Sequence, residues 1–449
     1  MTKDMTEGKP LKLILSFCIP LVIGNIFQQL YNMVDTIIVG QYIGKEALAA
    51  VGATGSINFM VIGFALGICS GFGIPIAQSF GAKDYKTMRK HIANAGYLCL
   101  GITILLTILT VLLTPTVLTI MNTPSNIFQQ SYEYIVVIFY GIFATMLYNM
   151  LSSILRSLGD SKTPLYFLVL SSIINVGLDL FFIINLNMGV AGAALATVIA
   201  QAISGISCFF YMKKKFTILH FAHDEKSFDV KRSKQLLSMG LPMALQFSIT
   251  AVGSIIVQTA VNGLGSDVVA AVTAAIKISI MLTAPLETLG ITMATYSGQN
   301  LGAGKIQRIF DGIKQSFFIC LGYCLVVIAF VFFVGDYLGL LFINAKEVAI
   351  VNDVSFYILA NASFYILLGI LFILRNTLQG LGYSFLAMFG GVFELVARII
   401  VAFGFVGVLG YSAICFANPF AWLFADILFI AGFLYKTKEL KQELKNQIL

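Results

Sequence analysis

Long runs of apolar residues recur from one end of this 449-residue chain to the other, and they constrain its fold more than any other feature. Each run is long enough for a helix that crosses a bilayer, which needs about 20 apolar residues. The twelve predicted spans cover residues of about 12–38, 47–76, 92–114, 127–155, 164–186, 188–212, 234–262, 268–297, 313–334, 348–374, 384–408 and 411–435. Only 11% of the residues are charged, against about 25% in soluble proteins. The sequence therefore predicts an all-α integral membrane protein with twelve transmembrane helices and no soluble catalytic domain.

The Lys and Arg residues predict the orientation of these spans. Both termini and the loops after even-numbered spans hold 24 of the 28 cations, whereas the opposite face holds two, Lys45 and Lys346. Because cytoplasmic loops are enriched in cations, we expect both termini in the cytoplasm and the chain in the inner, or plasma, membrane. The cations form short clusters between spans, so the net charge of +7 does not indicate a nucleic-acid partner.

The cysteines and histidines do not indicate a metal site or an enzyme. All seven cysteines lie in apolar segments, where packing is their usual role, and the three histidines lie in or beside charged loops. The predicted spans contain no catalytic pair and no set of metal ligands at helical spacing, so we expect neither an enzyme nor a cofactor. An ion channel is also disfavoured, because no repeated selectivity-filter segment interrupts the spans.

Four short motifs occur twice, in the same order and at nearly the same separation. GKEALAAV from Gly44 and GSDVVAAV from Gly265 are 221 residues apart. The other pairs are AQSFGAK with GQNLGAG, IPLVIG with LPMALQ, and RSLGDS with QGLGYS, at separations of 221 to 223 residues. A repeat of six spans has the same orientation in both halves, which places a pseudo-twofold axis along the membrane normal. The sequence therefore predicts two pseudo-symmetric six-helix lobes with a substrate cavity between them.

This repeat sets the predicted domain boundaries. They are an N-terminal lobe at 1–212, a cytoplasmic linker at 213–233, a C-terminal lobe at 234–435 and a cytoplasmic tail at 436–449. The linker is the longest hydrophilic stretch of the chain, and we expect it to be solvated. Pro20 and Pro242 occupy equivalent positions near the starts of spans 1 and 7, where a helix-interior proline is either a hinge or an ordinary kink.

Five acidic residues are predicted inside spans, where a charge near the bilayer centre costs at least about 2.5 kcal/mol and usually has a function. They are Asp35, Asp179, Glu287, Glu394 and Asp426. Asp35 lies roughly 9 Å below the outer end of span 1, and Asp179 roughly 10 Å below that of span 5.

Two polar residues lie near these aspartates in the predicted lobe. Asn175 precedes Asp179 by four residues and shares its helix face, and Thr197 on span 6 lies roughly 13 Å below the outer end of that span. Such oxygen ligands bind Na⁺, whereas a proton needs an acid whose affinity is raised by burial or by a second acid. We therefore predict that Asp35, Asn175, Asp179 and Thr197 form a cation-coupling site. The alternative is that they are polar contacts between helices.

The second lobe has a different set of polar residues. Glu394 and Arg398 are four residues apart on span 11, so they can neutralise each other as a structural ion pair. Lys277 and Glu287 are ten residues apart on span 8 and do not share a face directly, although either could reach Glu394 across the lobe. Because only the first lobe presents a clear acidic site, we favour H⁺ over Na⁺ as the coupling cation.

Several segments resemble the multidrug and toxic compound extrusion (MATE) transporters of bacteria. They are QQLYNMVDTIIVGQYIGKEALAAVG, RSLGDSKTP, NVGLDLFFI, GVAGAALATVIAQ and ELVARI, and the resemblance extends over essentially the whole chain. It implies a V-shaped fold of two lobes that exports amphipathic, often cationic, organic compounds in exchange for H⁺ or Na⁺. It also implies that the four residues of the predicted coupling site match the family's cation-linked site, and that Tyr134 and Asn149 on span 4 line the same cavity.

These expectations define the partners and one alternative function. We expect a monomer in contact with membrane lipids and with small organic cations. The alternative is a lipid-linked oligosaccharide flippase of the same superfamily, whose anionic cargo would require a basic cavity. The predicted spans of the first lobe contain no Lys or Arg, which disfavours that alternative.

Overall fold

The computed structural model describes residues 4–343 and 346–448, and every regular element in that part of the chain is helical. The α-helices are α1 Pro10–Ile38, α2 Lys45–Ala53, α3 Gly55–Gly81, α4 Tyr85–Ile120, α5 Ser125–Tyr140, α6 Ile142–Ser157, α7 Lys162–Leu180, α8 Gly189–Lys215, α9 Val230–Asn262, α10 Ser266–Gly302, α11 Ile306–Gly339, α12 Val348–Ala362, α13 Tyr365–Gly380, α14 Ser384–Ile400, α15 Val406–Leu409 and α16 Tyr411–Ile448. Three π-helical turns extend α1, α7 and α14, at Val39–Ile43, Phe181–Asn185 and Val401–Phe405.

The described helices agree with the twelve predicted spans. Ten are long and apolar enough to cross a membrane, and two bent helix pairs raise the number to twelve if each pair is one span. The prediction of an all-α membrane protein is therefore confirmed.

The two bent pairs differ from the prediction, which treats each as a continuous helix. The axes of α5 and α6 differ by 46° at Gly141, and those of α12 and α13 by 47°. A Cβ atom on Gly141 would lie 2.1 Å from the side chain of Val198, so α8 packs directly against the bend and leaves no space for a side chain there. The predicted second span is also divided, because α2 ends before Thr54 and α3 begins after it.

The described residues form two compact units. The first unit contains Ile19–Ala244, and the second contains Met5–Cys18 together with the described residues from Leu245 onward. Helix α1 therefore begins in the second unit and continues in the first, and α9 begins in the first and continues in the second. Pro20 and Pro242 lie within two residues of these changes, and each lacks the N–H group that a helix interior requires.

In the first unit, α6 packs between α3 and α8, and α4, α5 and α7 pack around these three helices. The start of α9 lies directly on α3, because both helices have glycine where they meet. A Cβ atom on Gly71 would lie 2.4 Å from the Cα atom of Gly240, and one on Gly67 would lie 2.5 Å from the Cα atom of Ala244. The backbones of α3 and α9 are therefore in contact over this stretch.

The segment between α8 and α9 packs on the start of α4 in the same unit. Glu225 is only 2% exposed and accepts hydrogen bonds from the Arg89 guanidinium at 2.6 and 2.7 Å. The Tyr97 hydroxyl donates to the Lys226 carbonyl at 2.7 Å, and the Asp229 N–H donates to Asn94 at 2.7 Å. Glu225 is the buried exception in residues 222–229, where most other side chains are exposed, so this part of the linker is tied to α4 by a few contacts and is otherwise solvated.

In the second unit, α10 packs against α11, α12 and α13, while α16 packs against α13 and α14. The N-terminal segment lies at the junction of α10 and α11. The Met5 N–H donates to Gln299 at 2.9 Å, and the Arg308 guanidinium donates to the Gly8 carbonyl at 2.9 Å. Cys18 on the first part of α1 contacts Thr288 on α10 at 3.6 Å. The beginning of α1 is thus held in the second unit along its length.

Candidate functional site

Two aspartates from α1 and α7 lie together inside the first unit. The carboxyl groups of Asp35 and Asp179 lie next to each other. Asp179 has no exposed surface, whereas Asp35 is half-buried. Two ionised carboxylates side by side repel each other, so a proton on either one lowers the energy of the pair.

An amide and two hydroxyl groups extend this pair. The Asn175 amide on α7 donates to the Thr197 hydroxyl on α8 at 3.2 Å, and the Thr197 hydroxyl is also hydrogen-bonded to Tyr31 on α1. Tyr31 interacts electrostatically with both aspartates. The structure thus brings together all four residues of the predicted coupling site. It adds Tyr31, which the sequence analysis missed although it precedes Asp35 by four residues on the same helix.

The two predicted cavity-lining residues have different surroundings. Tyr134 on α5 is buried and interacts electrostatically with Asp35, Asp179 and Tyr31, so it lies beside the pair. The Asn149 amide instead donates to the Thr145 carbonyl one turn earlier on α6, at 2.8 Å. Asn149 therefore uses its amide within its own helix rather than toward the aspartates.

The backbone next to both aspartates is irregular. A π-helical turn begins four residues after Asp35 and another begins two residues after Asp179, and the two turns pack against each other. A π turn widens the helix by an extra residue, and such turns are frequent at functional sites.

The chemistry of this site suits a small cation. Carboxyl, amide and hydroxyl oxygens from α1, α7 and α8 converge on one place. No group of three or more His, Cys, Asp or Glu side chains that could hold a metal ion occurs within residues 4–343 and 346–448. Two neighbouring acids can bind H⁺ on one carboxyl group, and oxygens of the same kinds are ligands of Na⁺.

In the second unit, the predicted polar residues form one ion-pair group, from which Lys277 is separate. An Nη of Arg398 contacts Glu394 at 3.2 Å, and Arg375 approaches the other oxygen of Glu394 at 4.0 Å. Glu287 interacts electrostatically with Arg375. Lys277 is instead exposed, with its ammonium group 5.9 Å from the centre of the Phe342 ring.

Arg375 is a residue that the sequence analysis misplaced. The predicted tenth span ends at residue 374, so the cation tally assigns Arg375 to a cytoplasmic loop. The structure places it inside α13, which continues to Gly380. The polar residues that follow Arg375 in α13 are buried, although polar residues directly after an apolar run are typical of a loop.

Comparison with known proteins is consistent with this architecture. The MatE family model matches this chain twice, at residues 20–181 and 242–404. The probable multidrug resistance protein YpnP of Bacillus subtilis (strain 168) is 28% identical over 442 residues, which are 96% of each chain. The probable multidrug resistance protein YoeA of the same organism is 28% identical over 326 residues, or 70% of each chain.

A solved structure shows the same fold. The crystal structure of MATE in complex with MaL6 superposes with a TM-score of 0.89 at 24% identity, and the match covers 99% of this chain and 100% of the other. The two matches to the family model fall one in each half, as the internal sequence repeat predicts.

Proposed function

The chain belongs to the MatE family of membrane transporters, and we propose that it is a secondary antiporter that exports organic compounds in exchange for protons. The observation that carries this proposal is that Asp35 and Asp179 lie side by side inside the first unit, where two ionised carboxylates repel each other. Both carboxyl groups lie within one unit and on two different helices, so their protonation affects how α1 and α7 pack.

The charge balance of the pair supplies the coupling step. With one proton bound, the two carboxyl groups do not repel each other. When that proton leaves, two neighbouring carboxylates repel each other and are desolvated. The π-helical turns after Asp35 and Asp179 give the backbone room to respond. Proton binding from outside would therefore favour one arrangement of α1 and α7, which we assign to substrate release, and proton loss would favour another.

Sodium is the alternative coupling cation. Asp35, Asn175, Asp179 and Thr197 offer oxygen atoms of the kinds that Na⁺ binds. We favour H⁺, because two carboxylates side by side repel each other unless one of them is protonated.

The substrate class is proposed from the relatives and from the acidic site. YpnP and YoeA are both named as probable multidrug resistance proteins, which supports a range of amphipathic organic cations as substrates. The acidic residues of the first unit do not favour a lipid-linked pyrophosphate, which would require basic groups. We propose that the protein acts as a monomer in the plasma membrane, with both termini in the cytoplasm.

Transport in everted vesicles tests the coupling site. We expect Asp35→Asn and Asp179→Asn each to abolish gradient-driven uptake of a fluorescent cationic dye, because neither variant retains the pair of carboxyl groups. The amounts of folded protein, checked by gel filtration in detergent, should equal the wild-type amount.

Asp267→Asn is the matched control. Asp267 is an exposed aspartate in the first turn of α10, so the same chemical change there should leave transport unchanged. Dye uptake at the wild-type rate in both Asp35→Asn and Asp179→Asn would eliminate the proposed coupling site.

A further inference from the structure

A buried carboxyl group in the second unit has no role in the site described above. Asp426 on α16 is only 2% exposed, and neither of its carboxyl oxygens has a hydrogen-bond partner among the described residues. Buried polar groups are nearly always hydrogen-bonded, so a carboxyl group in this situation requires an explanation.

The neighbours of Asp426 are charged, but they are bonded to one another. Glu394 on α14 faces Asp426 and is the acid with which it interacts electrostatically. Glu394 is itself held by Arg398 at 3.2 Å and approached by Arg375 at 4.0 Å. The two guanidinium groups are therefore directed at Glu394 and not at Asp426.

The helices that pack against α16 bring a small set of titratable groups to this region. The set includes Glu394 and Arg398 on α14, Arg375 on α13, Tyr357 on α12, and Tyr365 on α13, whose ring packs against Trp422 one turn before Asp426. Tyr357 is buried, and its hydroxyl accepts a hydrogen bond from Asn418 on α16 at 3.3 Å. Glu394 is thus the neighbour whose charge opposes ionisation of Asp426, and neither arginine makes a hydrogen bond or an ion pair with Asp426.

These surroundings disfavour an ionised Asp426. A carboxylate without a hydrogen bond or a paired cation is costly to bury, and a second carboxylate facing it adds repulsion. A proton removes both costs, because the neutral acid carries no charge.

We propose that Asp426 is a proton-binding site of the second unit, separate from the Asp35–Asp179 pair, and that it binds a proton while Glu394 holds the two arginines. The step is the uptake of one H⁺ from water by the Asp426 carboxylate, with no other bond formed or broken. Each unit then contains one buried acid that exchanges a proton. This inference does not depend on whether the Asp35–Asp179 pair drives transport.

Infrared spectroscopy of the purified full-length protein tests this assignment without a transport assay. The chain is prepared with Asp35→Asn and Asp179→Asn together, so that the first site cannot contribute a protonated aspartate. At neutral pH we expect a C=O band of a protonated carboxyl group, and this band should shift when the protein is grown with ¹³C-carboxyl aspartate. Asp426→Asn in this background should abolish the shifting band, whereas Asp267→Asn should retain it.

A conservative variant covers the case in which Asp426→Asn does not fold. In Asp426→Glu the protonated carboxyl band should persist but should no longer shift with labelled aspartate. The proposal is overturned if no aspartate-sensitive band is present before Asp426 is changed. It is equally overturned if a carboxyl band that shifts with labelled aspartate is still present in Asp426→Asn or in Asp426→Glu.

Discussion

At the scale of single residues, the first unit places Asp35, Asn175, Asp179 and Thr197 in one connected group. The depth of each residue along its predicted span is sufficient to predict this group, because charged and polar side chains are rare inside apolar spans. The same reasoning could not identify Tyr31. A tyrosine in an apolar helix is far more often a packing residue, and only the position of α8 brings Thr197 to its hydroxyl.

Loss of the Tyr31 hydroxyl should weaken transport without abolishing it. Tyr31→Phe removes one hydrogen bond to Thr197 while both aspartates remain. A single hydrogen bond contributes about 1 kcal/mol, so we expect the rate of dye uptake to fall about fivefold. The measurement is proton-driven dye uptake in proteoliposomes across a range of pH.

Tyr42→Phe is the control for this change. Tyr42 lies in the π-helical turn after α1 and is 58% exposed, so its hydroxyl should not matter. A wild-type rate in Tyr31→Phe at every pH would show that Tyr31 does not belong to the coupling site.

The second unit shows where residue-level prediction fails. The pair of Glu394 and Arg398 follows from their spacing on one helix. Arg375 was not predicted, because it lies just beyond the apolar run that defined span 10. The isolation of Asp426 was also not predictable, since a sequence does not indicate that nearby arginines are directed at a different acid.

At the scale of helices, the apolar runs predict position well and continuity poorly. The bend between α5 and α6 at Gly141 depends on the close approach of Val198, which belongs to a helix nearly 60 residues later in the chain. Hydropathy averages over such a bend, because the residues on both sides of it are equally apolar.

The contact between α3 and α9 should be sensitive to a single methyl group. Gly71→Ala places a Cβ atom 2.4 Å from the Cα atom of Gly240, so the two backbones must move apart. We expect a loss of about 1–3 kcal/mol in stability, as is typical of overpacked interiors. The measurement is the midpoint of thermal unfolding of the purified protein in detergent.

Gly101→Ala in the middle of α4 is the matched control. A Cβ atom on Gly101 meets no atom within 4 Å, so alanine there should leave the midpoint unchanged or raise it slightly. Equal midpoints for Gly71→Ala and Gly101→Ala would contradict the backbone contact between α3 and α9.

The segment that packs on α4 should be released by acid. Hydrogen bonds from Arg89 lower the pKa of Glu225 to about 2, against about 4.3 for free glutamate. Because the pKa is lower in the folded state, the stabilisation is complete above about pH 4.3 and is lost as the pH falls from there toward 2. Hydrogen exchange of residues 222–229, corrected for the intrinsic rate, should therefore accelerate over that interval.

The same release is expected at neutral pH in Glu225→Gln. Loss of hydrogen bonds between charged groups costs about 1.5–3 kcal/mol, so trypsin should cleave after Lys226 about tenfold faster or more. Asp224→Asn is the control, because Asp224 pairs with Lys86 at 2.8 Å on the surface, where ion pairs contribute little. Equal cleavage rates in the two variants would show that the Arg89–Glu225 pair does not hold the segment.

At the scale of the whole molecule, the sequence repeat predicts two equivalent sets of six helices, and the family model matches once in each half. The repeat also predicts that α1 and α9 are equivalent, since IPLVIG and LPMALQ are an aligned pair. It does not predict that each of these helices begins in the other half's unit. That assignment depends on contacts distant in sequence, such as those of Met5 with Gln299 and of Gly240 with Gly71.

The exchange of helix starts gives the hinge prediction a structural basis. Pro20 and Pro242 lie next to the points at which α1 and α9 pass from one unit to the other. A movement of one unit would be taken up by these two helices first. The role of both prolines as hinges stays a prediction, as does the cytoplasmic location of the termini.

The central claim is that protons, bound at Asp35 and Asp179, drive export. The most direct test uses purified protein in liposomes and compares dye transport under an imposed pH gradient without Na⁺ and under an imposed Na⁺ gradient at equal pH. We predict that the pH gradient alone drives transport, that the Na⁺ gradient alone does not, and that Asp179→Asn abolishes the pH-driven signal. Transport that requires Na⁺ and ignores the pH gradient would contradict the account.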